Sequence, residues 1–325
     1  MRIVHMADAH LGFSSYGKFD GNKNIREYDF YRAFVTACEK ARELNPDVVV
    51  IAGDLFHVRR PPAQAIAVAQ SALALFECPI IVVAGNHDNS IHRVSSPLVT
   101  LSLLRNVVLF EQPSLYEVRG SYFYCVPYTE SPPNFLEADY LVGHLRDRRV
   151  PKFKDSAIEV PDKYKIAMLG DLHMPFEVSQ NTFYAGALER VSFNQLGVPC
   201  GFTFYSDGTA RSRTFVEIET RPFVELTKPP EDLEMVRNAV VRCVIPSSAS
   251  LDWVNQVRKV ALHVTVRITD EVDVKDDLER DLPIVGSILD SFREFCQANK
   301  TKYSPAAIKL AIETLEEKSL GGKSS

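Results

Sequence analysis

Short, almost wholly apolar runs alternate with amphipathic stretches through the first two thirds of the chain. Residues 2–6, 48–52 and 80–84 are such runs, rich in β-branched side chains, and read as strands buried on both faces. Between the first two, Phe30, Phe34, Ala37, Ala41 and Leu44 recur at helical spacing and predict a helix over 29–44. Residues 62–76 open on a proline and are rich in alanine and leucine, which predicts a second helix. Strand, helix, strand, helix, strand implies a parallel α/β core. Beyond residue 105 the pattern turns to short strands, at 107–110, 115–118, 122–126, 140–142, 165–169, 182–185, 201–205 and 214–218. Ser206-Asp207-Gly208 reads as a turn between the last two. The expected fold is α/β, a mixed two-sheet sandwich flanked by helices.

Three prolines between 220 and 232 mark a boundary. After it, an apolar run at 240–245, a helix at 251–262 and an alternating strand at 263–268 predict a smaller α/β unit. Two amphipathic helices are expected at 283–298 and 304–318, and a disordered tail at 321–325. The domains are therefore read as 1–218, 222–283 and a helical tail, 284–325.

Composition narrows the class. The 46% hydrophobic and 24% charged residues are an ordinary globular balance that builds a core without staples. No run of 18 apolar residues exists, so no membrane span is expected. The N-terminus lacks the pattern of a signal peptide. Six scattered cysteines with no C-x-x-C pair read as reduced thiols of a cytoplasmic protein. A net charge of -5 does not favour nucleic acid by itself. Any DNA contact must come from local basic surface, bound cations or a partner chain.

Five clusters follow predicted strands: Asp8-Ala9-His10; Gly53-Asp54 with His57 close behind; Gly85-Asn86-His87-Asp88; Gly143-His144; and Gly170-Asp171-Leu172-His173. Taken singly, each is an ordinary turn or helix cap. Together they hold or adjoin six of the eight histidines, all at the ends of strands where α/β sheets build their sites. Asp8, His10, Asp54, Asn86, His144, Asp171 and His173 are hard or borderline ligands without a thiolate, and seven are too many for one ion. Two divalent ions suit them, with Asp54 as the natural bridge, and two such ions clamp an in-line phosphoryl displacement. Gly322-Lys323-Ser324 imitates the end of a P-loop, but Glu317 stands where the first glycine belongs and no strand precedes it.

The order D-x-H, G-D, G-N-H-D, G-H, G-x-x-H resembles that of the calcineurin-like metallophosphoesterases. The segment His5 to Gly12, Gly53-Asp54-Leu55-Phe56-His57, Arg60-Pro61, and Tyr184-Ala185-Gly186-Ala187-Leu188-Glu189-Arg190 are similar to SbcD-type DNA-repair nucleases, over roughly residues 1–218. The resemblance implies one metal on Asp8, His10, Asp54 and His173, and a second on Asp54, Asn86, His144 and Asp171. It implies His87 as general acid or transition-state stabiliser, oriented by Asp88, and His57 as a DNA-backbone contact favouring exonuclease cutting. It further implies Mn²⁺, 3′-to-5′ exonuclease and single-strand endonuclease activity, a capping domain at 222–283, an SbcC-type coiled-coil ATPase partner and a homodimer. In one departure, Asp171 stands where many members have histidine, which adds negative charge to the site.

Arg146, Arg148, Arg149 and Lys152 come directly after His144, and Arg59, Arg60 and Arg93 add to the basic set. They read either as a solvated loop or as DNA-phosphate contacts. The last helices either dock the ATPase or finish the capping domain. Against the DNA nuclease stand a small-molecule phosphodiesterase or phosphatase with the same metal core, and a non-catalytic scaffold. The scaffold is disfavoured because every ligand position keeps a metal-binding side chain.

Overall fold

The computed structural model describes residues 1–16, 19–20, 23–88, 96–246 and 251–269. The first strand, β1 (Ile3–Met6), lies at the centre of a six-stranded sheet. A two-stranded ribbon, β2 (Phe19–Asp20) and β3 (Lys23–Asn24), leads into helix α1 (Ile25–Glu43). Then come β4 (Val48–Ala52), α2 (Ala63–Leu73), β5 (Ile80–Val83) and β6 (Val107–Phe110). Strands β1, β4, β5 and β6 are parallel, as their unbroken apolar character requires. Strands β13 (Gly201–Tyr205) and β14 (Arg213–Glu217) complete the sheet antiparallel beside β1, in the order β14-β13-β1-β4-β5-β6.

The second sheet holds β7 (Ser114–Val118), β8 (Ser121–Val126), β9 (Tyr140–His144), β10 (Ile166–Gly170), β11 (Phe176–Ser179) and β12 (Thr182–Tyr184). Its order is β11-β12-β10-β9-β8-β7, with β8, β9, β10 and β12 parallel. The two sheets stack through Ile3, Val48, Val50, Ile81 and Val83 on one side and Phe123, Val142, Ile166 and Met168 on the other. The opposite face of the first sheet packs Val4, Val49, Ile51 and Val82 against Phe34, Ala37 and Ala41 of α1 and Ala65, Ala69 and Ala72 of α2. This is the expected mixed sandwich with helices.

Helix α1 begins four residues before the apolar pattern does. Asn24 is its cap, its side-chain oxygen accepting from the backbone N–H of Arg26 and Glu27. The connection from β13 to β14 is longer than a tight hairpin: it runs from 206 to 212 and includes a 3₁₀ turn at Ala210–Ser212.

Beyond the prolines, β15 (Phe223–Leu226), β16 (Val240–Pro246) and β17 (His263–Thr269) form a parallel three-stranded sheet. Helix α3 (Asp252–Val260) covers it through Val254 and Val257. Phe223, Val240 and Leu262 pack with Tyr16, Ile25 and Phe193 of the larger body. The helical tail expected at 284–325 lies outside the described residues. Among those described, no helix is long and apolar enough to cross a membrane, and Cys38, Cys78, Cys125, Cys200 and Cys243 are free thiols.

Candidate metal centre

Five strands deliver polar side chains to one place. Asp8 and His10 follow β1, Asp54 follows β4, Asn86 and His87 follow β5, His144 ends β9, and Asp171 and His173 follow β10. The segments after β1 and β4 keep pairing past the strands, with Asp8 N donating to Gly53 O at 3.1 Å and His10 N to Asp54 O at 3.0 Å. Parallel pairing of β9 with β10 sets His144 directly opposite Gly170. Gly53 has φ +90°, and a Cβ there would lie 2.2 Å from the His144 ring. Only glycine fits both the backbone and the approach of that imidazole.

The side chains converge. Asp54 Oδ2 lies 3.5 Å from His144 Nε2, 3.9 Å from His10 Nε2 and 4.0 Å from His87 Nε2. His10 Nε2 and His173 Nε2 are 3.0 Å apart. His144 Nε2 is 3.1 Å from Asn86 Oδ1 and 3.6 Å from Asp171 Oδ1. Asp8, His10 and His173 form one compact group of ligand atoms, and Asp8, Asp54 and His144 another. Asp8 is thus common to both groups, while Asp54 faces three imidazoles. His57 stands against His10, with the two Nδ1 atoms 3.3 Å apart.

Outer contacts orient these groups. His144 Nδ1 lies 2.8 Å from Ala52 O, so an N–H donated there leaves Nε2 facing the centre. His87 Nδ1 is likewise 2.6 Å from His57 O. The resemblance implies that Asp88 orients His87, but the hydrogen bonds of Asp88 run elsewhere. Its buried carboxylate accepts from the backbone N–H of Leu55, Phe56 and Gly85. Asp88 therefore ties the loop after β4 to the loop after β5, and His57 O sets the His87 ring. Gln195 was not singled out from sequence, yet it donates to His173 O at 3.1 Å. Its partner lies 22 residues away, so no local pattern announces it.

The electrostatics describe a site short of positive charge. Burial, with Asp54 and Asp171 nearby, raises Asp8 well above the carboxylate range. Burial opposes charge on His144, but Asp54, Asp171 and Asp8 outweigh it and raise that imidazole well above its ordinary value. Burial acts against ionisation of Asp54 and Asp171 too, yet His144 lowers both. Burial lowers His10 well below the usual range, and lowers His57 and His173 to about 4. Neutral imidazoles beside buried carboxylates are a ready ligand set. A divalent cation would supply the positive charge that these crowded carboxylates, Asp8, Asp54 and Asp171, call for. With oxygen and imidazole donors and no thiolate, the residues fit divalent metal.

Two cavities open on the centre. One, of about 690 Å³, is lined by Asp54, Asn86, Asp171, His173, Arg146 and Lys152 among others. The other, of about 400 Å³, is lined by His57, Val58, Arg59, Asn86 and His87. The basic set is dispersed among partners. Arg146 pairs with Asp171, Arg148 with Glu159, and Arg149 with Asp147 and Asp162. Arg60 is exposed, and Arg93 lies outside the described residues. His5, counted with the clusters in sequence, sits between the sheets with Nε2 3.1 Å from Leu169 O.

Residues 1–198 match the profile of the calcineurin-like phosphoesterases. Two curated relatives are both described as DNA double-strand break repair protein Mre11. The one from Archaeoglobus fulgidus is 40% identical over 125 residues, 37% of this chain and 26% of the relative. The one from Methanococcus maripaludis is 41% identical over 91 residues, 27% of this chain and 23% of the relative. The matched stretch spans about a quarter of each relative's length. With the family profile covering more than half of the sequence, the chain belongs to the calcineurin-like phosphoesterase family.

Proposed function

We propose that this chain is a metal-dependent DNA nuclease, the SbcD-type subunit of a double-strand-break repair complex. Its reaction would be hydrolysis of backbone phosphodiesters, as a 3′-to-5′ exonuclease and a single-strand endonuclease. The observation that carries the reading is the convergence of Asp8, His10, Asp54, Asn86, His144, Asp171 and His173 from five strand ends, together with the likeness to the Mre11 proteins. Two divalent ions, Mn²⁺ by preference, would be held by those seven residues, with Asp54 between them. When bound, they supply Lewis-acid polarisation of the phosphodiester and an acidified water.

The chain's own groups do the rest. His87 presents Nε2 to the cavity because its Nδ1 faces His57 O at 2.6 Å. That atom would donate a proton or hydrogen bond to the leaving oxygen. Asp88 holds the loop that carries His87. His57 and Arg59 line the smaller cavity and would take one strand's phosphates, with exposed Arg60 beside them. Lys152 lines the larger cavity and would meet phosphate on that side. The sheet β15–β17 with α3 would act as the capping element, the tail beyond it would dock an SbcC-type ATPase, and the nuclease core would pair as a homodimer in the cytoplasm.

The test compares end-labelled duplex DNA, single-stranded DNA and bis-p-nitrophenyl phosphate with Mn²⁺ and with EDTA. Degradation of both DNA substrates in Mn²⁺ only is the expected result. Turnover of the small diester with DNA left intact would favour the small-molecule phosphodiesterase instead.

A further inference from the structure

Asp171 differs from the other two carboxylates of the centre in one respect. Among the described residues it is the one site carboxylate paired with an arginine. Arg146 Nε donates to Asp171 Oδ2 at 2.7 Å and Arg146 Nη2 to Oδ1 at 3.2 Å. Oδ1 is also the oxygen that lies 3.6 Å from His144 Nε2. The backbone N–H of Asp171 donates to Asp8 Oδ1 at 3.2 Å, so the residue is held at its backbone as well as at its side chain. Its outer side faces the larger cavity, where the Arg146 guanidinium sits 5.4 Å from the Tyr128 ring centre and 5.9 Å from that of Phe153.

A guanidinium keeps its charge at every working pH. A divalent cation reaching the Asn86–His144–Asp171 end would therefore share Oδ1 with Nη2 and meet a permanent positive charge behind the ligand. That repulsion weakens this end relative to the Asp8–His10–His173 end, where the charge of Lys152 acts on His173 but, among the described residues, no lysine or arginine is hydrogen-bonded to a ligand candidate. The same guanidinium borders a cavity wide enough for a nucleotide phosphate, also lined by Lys152 and, with opposite charge, by Glu130 and Asp155. A phosphate anion placed there would cancel the repulsion. Binding linkage is reciprocal, so an anion that strengthens the cation is itself strengthened by it.

We propose that Arg146 makes filling of the Asn86–His144–Asp171 end conditional on a bound phosphate anion, so that the centre is completed when substrate arrives. This deepens the two-ion reading above and rests on it. The arginine acts through Asp171 and is a positioning residue, so its test reads metal binding, not turnover.

Mn²⁺ is titrated calorimetrically into the full, EDTA-stripped chain, with and without saturating thymidine 5′-monophosphate. For the wild type we expect two binding events, the weaker tightened roughly tenfold by the nucleotide, within the usual range of coupling. Arg146→Gln keeps a hydrogen-bonding group but no charge. It should bind the second Mn²⁺ roughly tenfold tighter without nucleotide and lose most of the enhancement. Arg146→Lys restores the charge and should restore the coupling, and Asp171→Asn should lose the weaker event. Circular dichroism of each variant checks that it is folded. Unchanged or weaker Mn²⁺ binding by a folded Arg146→Gln chain, with the nucleotide effect intact, overturns the proposal and leaves the two-ion reading standing. Failure of the wild type to take up Mn²⁺ overturns both.

Discussion

Asp8, His10, Asp54 and Asp171 all hold left-handed backbone, with φ of 51°, 45°, 51° and 92°. Such a conformation costs roughly 1–2 kcal/mol per non-glycine residue, and strain of this kind gathers at functional sites because the surrounding fold enforces it. Here paired strands enforce it, and the reward is that four side chains turn inward at the ends of three strands, β1, β4 and β10. Removing Asp54, which faces three imidazoles, or His87, whose ring is fixed by His57 O, should therefore be far more damaging than their size suggests. Asp54→Ala and His87→Ala are each expected to lower DNA cleavage at least about a thousandfold while the far-ultraviolet spectrum stays that of the wild type.

His5 makes a separate prediction at the same scale. Burial between the sheets lowers its pKa to about 3, against a partly compensating hydrogen bond to Leu169 O. The unfolded chain thus takes up this proton first as pH falls. The stability His5 contributes is complete above about pH 6.5 and declines toward pH 3, by up to about 1.4 kcal/mol per pH unit. His5→Gln keeps a donor for Leu169 O and removes the titration. Its unfolding free energy in urea should lose about 2 kcal/mol less than the wild type's between pH 7 and pH 5. Identical slopes for the two proteins would contradict the assignment. The ligand candidates themselves were legible in sequence because each sits in a short cluster after an apolar run. The pairing of Arg146 with Asp171 was not, since 25 residues and a different strand separate them, and a basic run looks the same whether it meets DNA or a carboxylate.

At the scale of the element, the buried parallel strands were readable because four- or five-residue apolar runs have few other uses. Strand β11 was not, because it is half-exposed at a sheet edge and its FEVS run carries no strong alternation. The first turn of α1 was missed for a different reason. Arg26 and Asp29 are both buried there and bonded to each other at 2.8 Å, so charge occupies positions where the helical pattern looks for apolar side chains. Between elements, tolerance is tight at the end of β10. A Cβ on Gly170 would come within 2.0 Å of Ala52 O and 2.9 Å of His144 Nδ1. Gly170→Ala must push these strand ends apart and break the contact that sets the His144 tautomer. We expect a loss of about 1–3 kcal/mol in stability and weakened Mn²⁺ binding, measured by urea denaturation and titration calorimetry. A variant with native stability and native metal affinity would show that the strand ends are looser than described.

At the scale of the molecule, a buried ion cluster joins parts distant in sequence. Arg26 meets Asp29 and Glu189, and Arg221, beyond the main body of strands, meets Asp29 and donates to Asn238 O at 2.7 Å. Glu189 also accepts from the backbone of Arg190 and Arg221. The prolines between 220 and 232 mark a boundary in the sequence, and the first part of that segment is bound to α1 through Arg221. Removing one member of a buried cluster leaves a charge without its partner, which costs about 3–5 kcal/mol. Arg26→Met is expected to show that loss in chemical unfolding. Arg119→Met, which breaks an exposed pair with Asp47, should change stability by no more than about 1 kcal/mol. Equal effects would mean that burial does not set the worth of these pairs.

The central claim, that one centre grips two cations, is tested most directly by crystals of the chain soaked in Mn²⁺ and measured at the manganese absorption edge. Two anomalous peaks about 3.5–4 Å apart are expected. One should lie among Asp8, His10 and His173, the other among Asn86, His144 and Asp171, with Asp54 touching both. Peaks elsewhere on the molecule, or an empty map among these seven side chains, would contradict it.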